Sequence, residues 1–164
     1  MINNQIVMSL KLFMAKEDFL SKHSNPKVLV LEKDTEVLNM EGTSNHHPNG
    51  DFDNSWTKYW IAFSEETKLI LCSQCGKALW NEENRNSVKM CKDILRQRKI
   101  NCDVEGKDNE EKLEDYISHG SHVEIDGVTY ITPLCIEHNT SNKGEMITLK
   151  KGSILVEEVD PIIE

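Results

Sequence analysis

His122-Val-Glu-Ile-Asp-Gly-Val-Thr-Tyr-Ile-Thr-Pro-Leu-Cys-Ile-Glu-His-Asn139 is the stretch that decides the fold. Val123 to Ile131 reads as two short strands joined at Asp126-Gly127, a dipeptide that tolerates the positive φ values of a tight hairpin turn. Pro133 and Leu134 lead into Cys135-x-x-His138, and the residues to Lys143 read as a short helix ended by Gly144. A β-hairpin followed by a helix whose first turn carries two soft ligands is therefore expected.

Upstream, Cys72-Ser-Gln-Cys75 precedes Gly76-Lys77. The two-residue spacing lets both thiols turn back on one ion within a tight turn. With Cys135 and His138 they make a closed set of four borderline-soft donors, which suits a structural, tetrahedral Zn²⁺. The chain has five cysteines, an odd number. With no export signal ahead of Ile6 to Phe13, a reducing cytoplasm is expected, where metal ligation is a better reading than disulfides. Cys91 and Cys102 read as bystanders.

Before the first cysteine pair, Asn54 or Ser55 can cap a short helix on which Trp56, Tyr59, Trp60 and Phe63 share one side as core. Lys68 to Leu71 reads as a strand leading into the pair. Residues 1–53 read as an N-terminal extension. An amphipathic helix over 5–22 is expected to present Ile6, Val7, Leu10, Phe13, Met14 and Leu20, and Val28-Leu29-Val30-Leu31 a buried strand. Glu41 to Asn54 is nearly pure turn chemistry, and His46-His47 within it is expected to be solvated rather than metal-bound. At the other end, Met146 to Leu149 and Ile154 to Val156 read as a terminal hairpin around Lys150-Lys151-Gly152, with frayed residues from Asp160.

The net charge of -9, from 19 basic and 28 acidic residues, excludes adhesion to nucleic acid through the surface at large. A basic patch has to be local. Between residues 81 and 118 lies a charged insertion in which Arg85, Lys89, Lys92, Arg96 and Lys99 fall within about 80° at 100° per residue. That stripe is either a solvated helix face or a phosphate-contacting one, and Asp103 to Asp115 offsets it with seven acidic residues. No uninterrupted apolar run approaches the roughly 18 residues of a membrane span.

His119-Gly-Ser-His122-Val, the hairpin, and Tyr130-Ile-Thr-Pro-Leu-Cys-Ile-Glu-His-Asn139 resemble the zinc-containing branch of the HNH, or His-Me finger, endonucleases. The likeness covers roughly residues 54–80 and 118–156. It is also similar to a group of small bacterial proteins in which a Trp-rich helix precedes the Cys pair. The resemblance implies a treble-clef zinc site wrapped around a ββα unit. It implies His122 as general base toward a water attacking a DNA phosphodiester, Asn139 as holder of a catalytic Mg²⁺ or Mn²⁺, and Lys143 or Asn142 as a phosphate contact. Two positions depart from the pattern. Ser121 stands where the family places Asp or His, and Thr129 to Leu134 contains no Asn to orient the base, a role His119 could take only by geometry.

The expectation is an α+β, zinc-stabilised treble-clef or ββα HNH-like domain over 54–164 with the helix and strand of 1–53 beside it. Its function is metal-dependent endonuclease chemistry or, as the alternative, a non-catalytic zinc module for a protein or nucleic-acid partner.

Overall fold

The computed structural model describes residues 8–66, 70–79 and 117–164. Helix α1, Leu10–Lys22, starts at Ser9, whose hydroxyl accepts from the Leu12 amide. Its buried stripe is Leu12, Ala15 and Phe19, whereas Leu10, Phe13 and Met14 face outward. The expected face is thus corrected by about half a turn at 100° per residue, Ile6 and Val7 lying outside the described residues. Both sets have helical spacing, and what chooses is the aromatic cluster of helix α2, Trp56–Ser64. Phe19 meets Tyr59 and Phe63 edge-on at 5.8 and 5.3 Å between ring centres.

Helix α2 is capped by the Ser55 hydroxyl and closed by Glu65 in the left-handed region. Trp56, Tyr59, Trp60 and Phe63 are all buried, and so are Thr57, Ile61 and Ala62, so this helix is central rather than amphipathic. It packs between α1 and a six-stranded antiparallel sheet.

The sheet contains β1, Val28–Val30; β2, Thr35–Asn39; β6, His119–Ile125; β7, Val128–Leu134; β8, Met146–Leu149; and β9, Ile154–Glu157. Two short ribbons complete the fold: β3, His46–His47, with β10, Ile162–Ile163, and β4, Ile70–Leu71, with β5, Ala78–Leu79. The expected hairpin is present as β6 and β7, with Asp126 and Gly127 both at positive φ.

The strand order β1-β9-β7-β6-β2-β8 places β8 and β9 four positions apart, although only residues 150–153 join them. In a flat sheet that gap is about 19 Å. Five chain steps reach about 17 Å fully extended, and here they include a turn closed from the Ser153 amide to the Lys150 carbonyl. The same arithmetic holds for β1 and β2. The sheet therefore curls until its two ends approach.

Three expectations are corrected by these pairings. Met146–Leu149 and Ile154–Glu157 do not form a hairpin, because β8 pairs with β2 while β9 pairs with β7 and β1. The Val28–Val30 strand is an edge, with Val28 and Val30 exposed. The residues after Asp160 are not frayed, since β10 pairs with His46–His47. Among the described residues no helix is long and apolar enough to cross a membrane.

Candidate metal centre and adjoining pocket

Four ligand-type side chains from two distant segments meet at one end of the sheet. The β4–β5 ribbon folds back over Cys72 to Cys75 through bonds from the Cys72 amide to the Lys77 carbonyl and from the Gly76 amide to the Cys72 carbonyl, both 2.8 Å. Gly76 sits at φ +77, where a side chain would be strained. The turn is fastened to the sheet by the Ser73 amide on the Pro133 carbonyl and by the Ser73 and Thr132 hydroxyls, 2.5 Å apart. Helix α3, Ile136–Thr140, starts immediately after Cys135, which brings Cys135 and His138 onto its first turn. It ends at Thr140, earlier than expected. Asn142 and Lys143 therefore lie in the following loop, with Asn142 at φ +56.

The ligand atoms of Cys72, Cys75, Cys135 and His138 all lie within 4.8 Å of one another. Nδ1 of His138 is 3.1 Å from the Cys135 sulfur and 3.7 Å from that of Cys72, and the Cys75 and Cys135 sulfurs are 4.0 Å apart. Donors held tetrahedrally on one ion at zinc-type bond lengths stand about 3.5–3.8 Å apart. The donor chemistry and the spacing both fit, so this cluster could hold a metal ion and is compatible with zinc. All three cysteines are free thiols. Hydrogen bonding from Cys135 and then Cys75 draws the Cys72 thiol far below its ordinary pKa, whereas Cys75, which keeps its proton against Cys135 and Cys72, is pushed up. Three thiols crowded this closely favour negative charge on one of them, as a cation site requires.

Beside this centre lies a pocket of about 450 Å³ lined by, among others, His46, Trp56, Ser121, His122, Asn139 and Lys143. The two expected catalytic residues, His122 and Asn139, thus open onto one space. Asn139 follows the ligand His138 on α3, and its Oδ1 accepts from the Ser121 hydroxyl on β6. Lys143 Nζ approaches the same oxygen at 3.5 Å, and burial lowers its pKa. Buried Asn39 of β2 holds the loop carrying Lys143, donating from Nδ2 to the Ser141 carbonyl at 3.0 Å. His119 lies at the start of β6, its pKa lowered chiefly by burial.

His122 is 4% exposed. Its ring stands edge-on to Trp56 at 5.0 Å and to His46 at 5.6 Å between centres, and its Nε2 is 2.6 Å from Oε2 of Glu158. No chain in known families, curated proteins or solved structures matches this one. The site is therefore read from its own residues.

The partners His46 and Glu158 are what sequence reasoning missed. His46 is a half-buried member of β3, not a solvated loop residue, and its Nδ1 lies 3.8 Å from Oε1 of Glu158. Glu158 follows β9 in an acidic stretch that reads as solvent-facing, and nothing local marks it. The expected nucleic-acid contacts Arg85, Lys89, Lys92, Arg96 and Lys99 lie outside the described residues, as do Cys91 and Cys102.

Proposed function

We propose that this chain is a zinc-stabilised, HNH-like protein that cleaves DNA phosphodiester bonds with a divalent metal ion. The observation that carries this reading is the convergence of Ser121, His122, Asn139 and Lys143 on one pocket next to the Cys/His cluster. The β6–β7–α3 order has the ββα sequence of elements that the reading requires. In it, Cys72, Cys75, Cys135 and His138 hold a structural Zn²⁺ that sets α3 against β6.

His122 acts as the general base. With Nε2 against Glu158, Nδ1 is the nitrogen left to act as base. That nitrogen takes a proton from a water, the resulting hydroxide forms a bond to phosphorus, and the bond to the leaving sugar oxygen breaks, that oxygen taking its proton from solvent. Asn139 would hold the Mg²⁺ or Mn²⁺, which supplies charge stabilisation at the phosphate when bound. Lys143 contacts a phosphate oxygen and, being desolvated, does so more strongly than an exposed lysine would. The free thiols fit a reducing compartment such as the cytoplasm.

A second reading, a non-catalytic zinc module binding a protein or nucleic acid, is favoured by Ser121 at the expected metal-ligand position and by the net charge of -9. Plasmid nicking with added Mg²⁺ or Mn²⁺ decides between them. We expect nicking by the wild-type protein and its loss in His122→Ala, with zinc content and melting preserved. Wild-type protein that carries zinc but does not nick, or a His122→Ala variant that still does, rejects the nuclease.

A further inference from the structure

The carboxylate behind the two imidazoles is the most unusual feature of the described interior. The Glu158 side chain is 8% exposed and that of His122 4%, yet neither Oε2 of Glu158 nor Nε2 of His122 meets a well-aligned hydrogen-bond partner among the described residues. Their 2.6 Å approach is what each has in place of solvent. Nδ1 of His46 is buried without a hydrogen bond as well, on the other oxygen's side of the same carboxylate. A buried carboxylate with no compensating donor is costly, and imidazole N–H groups turned toward it lower that cost.

Two accounts fit three such atoms, a shared metal ion or a hydrogen-bonded carboxylate–imidazole set, and distance separates them. Two donors on one ion at about 2.0–2.1 Å stand about 2.9–3.4 Å apart. The His122–Glu158 contact of 2.6 Å is inside that limit and is a direct nitrogen-to-carboxylate contact of the two side chains. All three atoms are buried, and the three groups lie within metal-ligand reach of one another. The Cys/His cluster, with contacts of 3.1–4.0 Å, shows the looser spacing of donors arranged around an ion.

We propose that Glu158 is a positioning residue that holds His122 in the Nε2-protonated tautomer, so that unprotonated Nδ1 faces the pocket, with Nδ1 of His46 3.8 Å from the same carboxylate. This rests on the nuclease reading for its catalytic meaning, but the tautomer itself does not depend on it. Glu158 fills the role for which Thr129 to Leu134 supplies no Asn. When Nδ1 accepts the proton from water, the imidazolium formed is opposite a carboxylate already in contact. Two backbone anchors keep Glu158 there. Its amide donates to the Thr129 carbonyl at 2.9 Å, and the Tyr59 hydroxyl ties both neighbours, donating to the Glu157 carbonyl at 2.7 Å and accepting from the Val159 amide at 3.2 Å.

Long-range proton–nitrogen correlation spectra of the zinc-loaded, full-length protein at neutral pH read the tautomer directly. His122 is expected as a single Nε2–H species in the wild type and as a mixture in Glu158→Gln, with zinc content unchanged. Where the wild type nicks DNA, Glu158→Gln is expected to lower kcat by about 100-fold at unchanged KM, and Glu158→Asp to restore part of it. An Nδ1–H tautomer in the wild type overturns the proposal even if no variant folds. So does a Glu158→Gln spectrum identical to wild type, or a second equivalent of bound metal that Glu158→Gln removes. Loss of nicking with the expected tautomer intact counts against the nuclease, not against the role of Glu158.

Discussion

Gly120 is where the sheet and the central helix come closest, and Gly120→Ala tests whether that approach is as tight as the structure has it. A Cβ at this position would lie 2.6 Å from both the carbonyl carbon and the Cβ of Trp56 and 2.7 Å from the Thr57 nitrogen. Carbon atoms in contact prefer about 3.5–4.0 Å, so the first turn of α2 has to retreat by about 1 Å. The neighbours are mostly backbone and cannot rotate away, which puts the overpacking cost near the top of its range, about 3 kcal/mol. The retreat also strains the bond from the Thr57 hydroxyl to the Ser118 carbonyl, 3.0 Å long and buried, worth about 1 kcal/mol more. For a chain of this size about 3–4 kcal/mol corresponds to a fall in Tm of roughly 6–15 °C. Urea and thermal unfolding of the zinc-loaded protein measure it. A Gly120→Ala variant within about 0.5 kcal/mol of wild type would show that β6 and α2 do not pack this closely, and with it would go the placement of Ser121 and His122.

Tyr59→Phe removes a buried hydroxyl that serves the Glu157 carbonyl and the Val159 amide, and is expected to cost about 1–3 kcal/mol in the same unfolding assay. It should also broaden the Glu158 amide resonance, whereas an unchanged spectrum would mean that the chain after β9 is anchored otherwise. Hydrogen bonds from Lys58 and then Lys11 hold Asp53 down to about 2. Because that carboxyl is depressed, its contribution is present above its ordinary value near 3.8 and is lost as pH falls through about 2. A carboxyl-carbon titration should find Asp53 titrating well below its ordinary value, with Lys58→Ala moving it back up; titration at the ordinary value would refute the pairing.

What the sequence makes legible here is what short-range spacing dictates. The two-residue gaps in Cys72 to Cys75 and Cys135 to His138, the Asp126-Gly127 turn and the helical spacing of Trp56, Tyr59, Trp60 and Phe63 depend on neighbours a few residues away, and the structure has each of these elements. The buried side of α1 was less legible. Leu10, Phe13 and Met14 are as regularly spaced as Leu12, Ala15 and Phe19, and only the position of α2 selects between them. The Lys150-Lys151-Gly152 turn has hairpin chemistry, yet the Gly152 amide bonds to the Leu31 carbonyl and the Leu31 amide to the Ser153 carbonyl, which carries β9 to the opposite end of the sheet.

The pocket divides the same way. His122 and Asn139 belong to one contiguous stretch, and their convergence follows from β6, β7 and α3 folding as a unit. Glu158 reaches His122 only because β9 pairs with β7, and His46 only because β3 pairs with β10. Pairings between segments distant in sequence, Tyr130 with Glu157 and His47 with Ile162, leave no periodic trace in an acidic tail or a polar loop.

The account depends most on a metal ion tying α3 to the Cys72–Cys75 turn. Elemental analysis of the purified protein tests it directly. One zinc per chain is expected in the wild type and none in Cys75→Ser, with strong chelation abolishing the cooperative melt, since binding energy at such a site is folding energy. A wild-type protein with no bound metal, whose melt is unmoved by chelator, would contradict it.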